Sequence, residues 1–110
     1  MFESRMIISR NRLQLFTRGH AGYAERGSDI VCAAASTLVN TLLISLRMQM
    51  GIGTDVYFDA DPPTGRVHLD CGPTEEDAEK AVTIFRVVAT GLDALAYKYP
   101  DNVTFELEET

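Results

Sequence analysis

The chain has 110 residues, 45% of them hydrophobic, with a net charge of −6 and two cysteines. That length holds one domain, 1–110, and the composition excludes a disordered chain. Ten scattered Lys and Arg against sixteen Asp and Glu argue against direct nucleic-acid binding, and two thiols do not make a disulfide scaffold.

The N-terminus, Met1-Phe2-Glu3-Ser4-Arg5, lacks the apolar segment of a signal peptide. Phe2 to Ser9 and Arg12 to Thr17 read as two strands joined at Asn11, with Leu13, Leu15 and Thr17 on one face. Arg18 to Ser28 is a loop punctuated by Gly19, Gly22 and Gly27, long enough to suggest function. Asp29 to about Met48 reads as a helix. Its buried stripe is Ile30, Val31, Ala34, Ala35, Leu38, Val39, Leu42, Leu43 and Leu46, with Ser28 as N-cap. No charge lies between Asp29 and Arg47, which predicts a helix covered on more than one side or set at a subunit interface. The uncharged run from Ile30 to Leu46 is shorter than the roughly 20 residues of a membrane span and contains several hydroxyls and an amide. The expectation is a soluble, cytoplasmic protein with no membrane partner.

Thr54 to Ala60 and Arg66 to Cys71 read as a hairpin about the turn Asp61-Pro62-Pro63-Thr64-Gly65. Thr74 to Tyr99 is a second helix, N-capped by Thr74, acidic in its first turn and stopped at Tyr99-Pro100. Val103, Phe105 and Leu107 alternate with polar residues in a last strand. The order ββαββαβ predicts an α/β (α+β) two-layer sandwich, with two long helices covering one face of a five-stranded sheet.

The chemistry gathers at the loop. Cys32 lies about one turn into the first helix, where unpaired N–H groups carry partial positive charge that favours a thiolate. His20 lies twelve residues earlier, across the glycine loop, where a fold-back brings imidazole to sulfur. Such a pair generates a nucleophile and protonates a leaving amine, and N–H groups at the helix start are candidates to hold an oxyanion. The residues alone leave a second reading open, in which Cys32 is a small packed hydrophobe.

The string Gly19-His20-Ala21-Gly22-Tyr23-Ala24, then Gly27, then Asp29-Ile30-Val31-Cys32-Ala33-Ala34 and Ser36, resembles the signature of the bacterial ribosomal-processing cysteine protease family, Prp. Arg26 and Ser28 depart from the aromatic residue and lysine common in that loop. The resemblance implies a thiol protease that removes the short N-terminal extension of a bacterial large-subunit ribosomal protein, a step in ribosome biogenesis. It implies cleavage after an aromatic pair, His20 and Cys32 as the catalytic pair, no metal or other cofactor, and a homodimer. Asp29 and Ser36 match positions typical of the family. Ser36 shares a helix face with Cys32 and is placed to donate a hydrogen bond to thiolate or substrate, or simply fills a gap. Asp29 orients His20, pins the loop, or serves the helix start. Gly19, Gly22 and Gly27 are candidate hinges for a loop that gates the site. Tyr23 either stacks on a substrate ring or caps the core.

Other chemistries compete. His20, Cys32, His68 and Cys71 are ligand types for zinc, but His68 and Cys71 fall on opposite faces of a strand and no metal-ligand spacing motif is present. A redox thiol lacks a nearby resolving cysteine. The main alternative is a non-catalytic module whose acidic surface docks a basic ribosomal protein.

Overall fold

A computed structural model describes all 110 residues, Met1–Thr110. The elements are β1 (Phe2–Ile8), β2 (Leu13–Arg18), α1 (Ile30–Gln49), β3 (Asp55–Asp61), β4 (Arg66–Gly72), α2 (Ala78–Lys98) and β5 (Val103–Glu109), the order ββαββαβ read from the sequence pattern. They form a two-layer α+β sandwich around one five-stranded mixed sheet, β3-β4-β2-β1-β5. β1 pairs antiparallel with β2 and parallel with β5, while β4 lies antiparallel between β2 and β3.

Strand alternation sorts the two sheet faces. Phe2, Met6 and Ile8 of β1, Leu13 and Leu15 of β2, and Leu69 and Cys71 of β4 join the helices in one core cluster of 20 buried residues. The intervening positions carry the ion pairs Arg18–Glu3, Arg66–Asp59 and Arg5–Glu108 on the other face. These pairs are exposed, so each stabilises the sheet by little.

The helices pack side by side. α1 buries Val31, Ala35, Val39, Leu42, Leu43 and Leu46, and α2 buries Ala81, Phe85, Val88, Ala89 and Leu92. Gly91 sits where they meet most closely, since a Cβ there would lie 2.5 Å from Leu38 Cδ2. At 20 residues, α1 is long and apolar enough to cross a membrane by length and composition alone, but its most regular apolar face is spent on α2 and the sheet.

Three local expectations are corrected. Asp29, not Ser28, is the N-cap of α1, because its carboxylate reaches back to the Cys32 N–H. α2 begins at Ala78 after Asp77, not at Thr74. Thr74 instead closes a preceding turn, its carbonyl and hydroxyl both accepting from the Asp77 N–H. Ile30, counted in the buried stripe, is 61% exposed, because it lies on the outer helix face shared with exposed Ile44 and Met48, while its neighbour Val31 is buried.

Asp77 itself is buried, yet its carboxylate makes no cap bond to its own helix. It accepts from the Gly51 N–H at 2.9 Å and from the Thr54 hydroxyl, tying the α1–β3 connection to the start of α2. These bonds, the Thr54 hydroxyl first, hold its carboxyl below the ordinary aspartate value.

Candidate active site

His20 leaves the sheet just past the end of β2, where two backbones meet. Gly19 N–H donates to the Thr64 carbonyl at 2.8 Å, and the Thr17 hydroxyl donates to the Gly65 carbonyl at 2.9 Å. Gly19 and Gly65 both adopt positive φ, +82° and +71°. A Cβ on Gly65 would collide with the Gly19 carbonyl, so the close approach of the β3–β4 turn to the end of β2 requires glycine.

That approach sets the imidazole. His20 Nε2 lies 3.0 Å from the Pro63 carbonyl, and Nδ1 lies 3.9 Å from Cys32 Sγ. A carbonyl only accepts, so Nε2 carries the proton, and in the neutral ring Nδ1 offers its lone pair to the sulfur. The sulfur distance is at the long end of a hydrogen bond; catalytic contacts commonly tighten when substrate binds.

Asp29 fixes the other partner. One carboxylate oxygen accepts from the Cys32 N–H at 2.9 Å, and the other accepts from the N–H groups of Tyr23 and Ala24 at 2.9 and 3.2 Å. The Cys32 bond, first among these, holds the Asp29 carboxyl below its ordinary value. Asp29 thus pins the loop and caps α1, whereas the ring of His20 is held by Pro63. The capping also engages two of the N–H groups at the helix start: the Cys32 N–H is spent on the Asp29 carboxylate, and the Ala33 N–H on the Asp29 carbonyl at 3.0 Å. The Asp29 charge offsets part of the positive potential at the helix start, which leaves imidazole as the group best placed to take the thiol proton.

The first part of the loop between these residues is also held by the body of the domain. Buried Ala21 accepts a bond from the Asn102 side chain at 3.0 Å, and Tyr23 meets Tyr99 edge-on at 5.4 Å. Gly22 and Gly27 also take positive φ. Tyr23 is half exposed, so it neither caps the core fully nor stands free.

Cys32 and His20 open onto a groove of about 600 Å³. Ser36 and Asn40 of α1 continue its wall beyond Cys32, and Phe58, Ala60 and Val67 of β3 and β4 form the facing side. Cys71 has the opposite setting. It is fully buried, and burial, with Asp70 nearby, pushes its thiol up to about 11. His68 stacks on Phe16 at 4.7 Å on the far side of the sheet, and no group of three or more His, Cys, Asp or Glu side chains converges as a metal site.

Sequence reasoning brought His20, Cys32, Asp29 and Ser36 to one region, and the structure gathers them around one groove. It missed Pro63. The sequence marks residues 61–65 as a turn, but nothing in it connects that turn to a histidine 43 positions away.

Comparisons with known proteins give the family and the fold. A family model described as cysteine protease Prp matches residues 1–104. The ribosomal processing cysteine protease Prp of Mycoplasma pneumoniae is 30% identical over 102 residues, covering 93% of this chain and 92% of that protein. The crystal structure of SMU.848 from Streptococcus mutans superposes with a TM-score of 0.77 at 29% identity, over 100% of this chain and 96% of that one. The ribosomal processing protease Prp of S. aureus, solved with a covalently linked product peptide, superposes with a TM-score of 0.78 at 20% identity, over 98% and 100%. At that identity it speaks for the fold alone.

Proposed function

The chain belongs to the Prp family of cysteine proteases, and on that premise we propose that Cys32 and His20 are its catalytic pair and that its substrate is the N-terminal extension of a bacterial large-subunit ribosomal protein. The observation that carries this reading is the arrangement of Cys32 Sγ 3.9 Å from His20 Nδ1, with Nε2 bonded to the Pro63 carbonyl at 3.0 Å, at the mouth of an open groove.

The chemistry follows from the tautomer. Nδ1 takes the thiol proton as sulfur attacks the scissile carbonyl carbon, and the imidazolium then protonates the leaving amine. The acyl-thioester that remains is attacked by water, whose proton passes to the same Nδ1. Sulfur is expelled, takes that proton back, and the new carboxyl terminus departs. Throughout, Nε2 keeps its proton and donates it in a hydrogen bond to the Pro63 carbonyl, which keeps the ring from turning over. Cleavage after an aromatic pair is supported by the apolar side of the groove, where Phe58 and Val67 offer surface to large rings. The net charge of −6 suits encounter with a basic substrate.

The same reading places the protein in the cytoplasm and in a homodimer. Ile30, Ile44 and Met48 of α1 are 61%, 53% and 73% exposed in the single chain, an uncharged surface that a second copy would cover. Sedimentation across a concentration series checks this, with Ile44→Glu expected to shift the protein toward monomer.

The deciding experiment is incubation with an extended ribosomal-protein N-terminus, followed by mass spectrometry. A single cut after the aromatic pair, lost in Cys32→Ser, is the expected result. Binding without any cut would instead establish a non-catalytic docking module.

A further inference from the structure

The groove continues well past the reacting sulfur. Cys32, Ser36 and Asn40 follow one another at four-residue intervals along α1, and all three line it. Helical rise separates each from the next by about 6 Å. An extended peptide advances about 6.6 Å every two residues, so its main-chain groups recur on one side at almost the same interval. Over two steps the mismatch is on the order of 1 Å, within the reach of side-chain rotamers.

The side chains on this line differ from their neighbours. Thr37 and Thr41 turn their hydroxyls back onto the carbonyls of Ala33 and Thr37, at 2.8 and 2.7 Å, the usual refuge of a hydroxyl inside a helix. Ser36 and Asn40 are exposed and face the groove without such a bond. Each offers both a donor and an acceptor and no charge, which suits a peptide main chain and not a charged side chain. The β3–β4 side carries an apolar strip, Phe58, Ala60 and Val67, suited to alternate side chains of the same peptide, with Asp61 and Arg66 lining the groove at the turn end of those strands. β3 is an edge strand, so the groove is bounded on that side by no further strand.

We infer that Ser36 and Asn40 form a polar rail that hydrogen-bonds the main chain of an extended substrate, Ser36 about two residues and Asn40 about four residues from the scissile bond. The inference rests on Cys32 being the protease nucleophile and assigns the new role chiefly to Asn40. Recognition through the main chain tolerates variation in the substrate side chains at those positions, while the apolar strip does the selecting.

Two peptide series, shortened one residue at a time from either end, test it on the full-length protein. Wild-type kcat/KM should rise in one series as the peptide grows long enough to reach Asn40. Asn40→Ala should erase that increment, a loss of about 2- to 10-fold for one hydrogen bond, carried in KM with kcat unchanged. Replacing single substrate amides by esters should cost wild type most at one position, and that cost should vanish in Asn40→Ala. An equal Asn40→Ala penalty at every length, no penalty at any length, or an ester effect that persists in the variant would overturn the rail while leaving the catalytic pair intact. If wild type cleaves no peptide at all, the proteolytic assignment of Cys32 fails and the rail falls with it.

Discussion

Asp29 and Asp77 occupy the same position, immediately before the first turn, in α1 and in α2. Asp29 folds its carboxylate onto its own helix and onto the glycine loop, gathering the N–H groups of Cys32, Tyr23 and Ala24. Asp77 turns away from its helix and holds Gly51 and Thr54 of the connection leading to β3. One aspartate shapes an open rim beside a reachable thiol; the other is sealed inside a structural joint. The two cysteines repeat the contrast, Cys32 half-buried at the groove and Cys71 enclosed in the core. Residue type therefore assigns no role here; what the neighbouring backbone leaves open does.

The contrast breaks most sharply at the thiols. Cys32→Ser should lower peptide turnover by about 10³-fold or more. Cys71→Ala should leave turnover near wild type and lower unfolding free energy by about 1–2 kcal/mol, read by denaturant titration. Comparable turnover losses in the two variants would erase the distinction.

Alkylation sharpens the same comparison without mutation. With its thiol pushed up to about 11 and buried, Cys71 should resist iodoacetamide at pH 8 in the folded protein, reacting at least about 10²-fold more slowly than Cys32. Mass mapping of labelled peptides over time reads the ratio, and equal labelling would contradict it.

The β3–β4 turn comes next. Gly65→Ala forces a side chain against the Gly19 carbonyl in a backbone region that disfavours it. Displacing the Pro63 carbonyl should lower kcat by about 10- to 10²-fold. Nitrogen NMR of His20 should then show loss of the single Nε2–H tautomer. A folded variant with full kcat and an unchanged tautomer would show that Pro63 does not position the ring.

The smallest effects concern acid. Both aspartates have folded-state values below the ordinary 3.8, so each contributes stability that is fully present above that value and lost as pH falls through the lower folded value. Asp77→Asn should be less stable than wild type at pH 6, and the gap should narrow below pH 3.8. Asp29→Asn should behave likewise with a smaller stability change but a larger loss of turnover, because it loosens the loop beside Cys32. Thermal unfolding and turnover across pH separate the two.

Much of this molecule is legible in its sequence. The helical stripes of Leu42, Leu46, Phe85 and Leu92, and the alternation of Leu13 and Leu15, announce buried faces, since burial imposes a period of 3.6 in a helix and 2 in a strand. The glycine loop between His20 and Cys32 was legible for the same local reason. Both helix starts were misread by one to a few residues. Ser28 and Thr74 are good caps in isolation; Asp29 displaces Ser28 by accepting from the Cys32 N–H of its own helix, and Asp77 is drawn to Gly51 and Thr54 of a distant segment.

By itself, the sequence determined the order of elements, their buried faces and the neighbourhood of His20 and Cys32, because these depend on residues close together along the chain. Tertiary structure alone decided the strand order β3-β4-β2-β1-β5, the carbonyl that holds the imidazole, and the apolar strip facing Ser36 and Asn40. Those features join segments dozens of residues apart. Backbone carbonyls and strand neighbours carry no residue-specific mark, so their partners exist only once the chain has closed on itself.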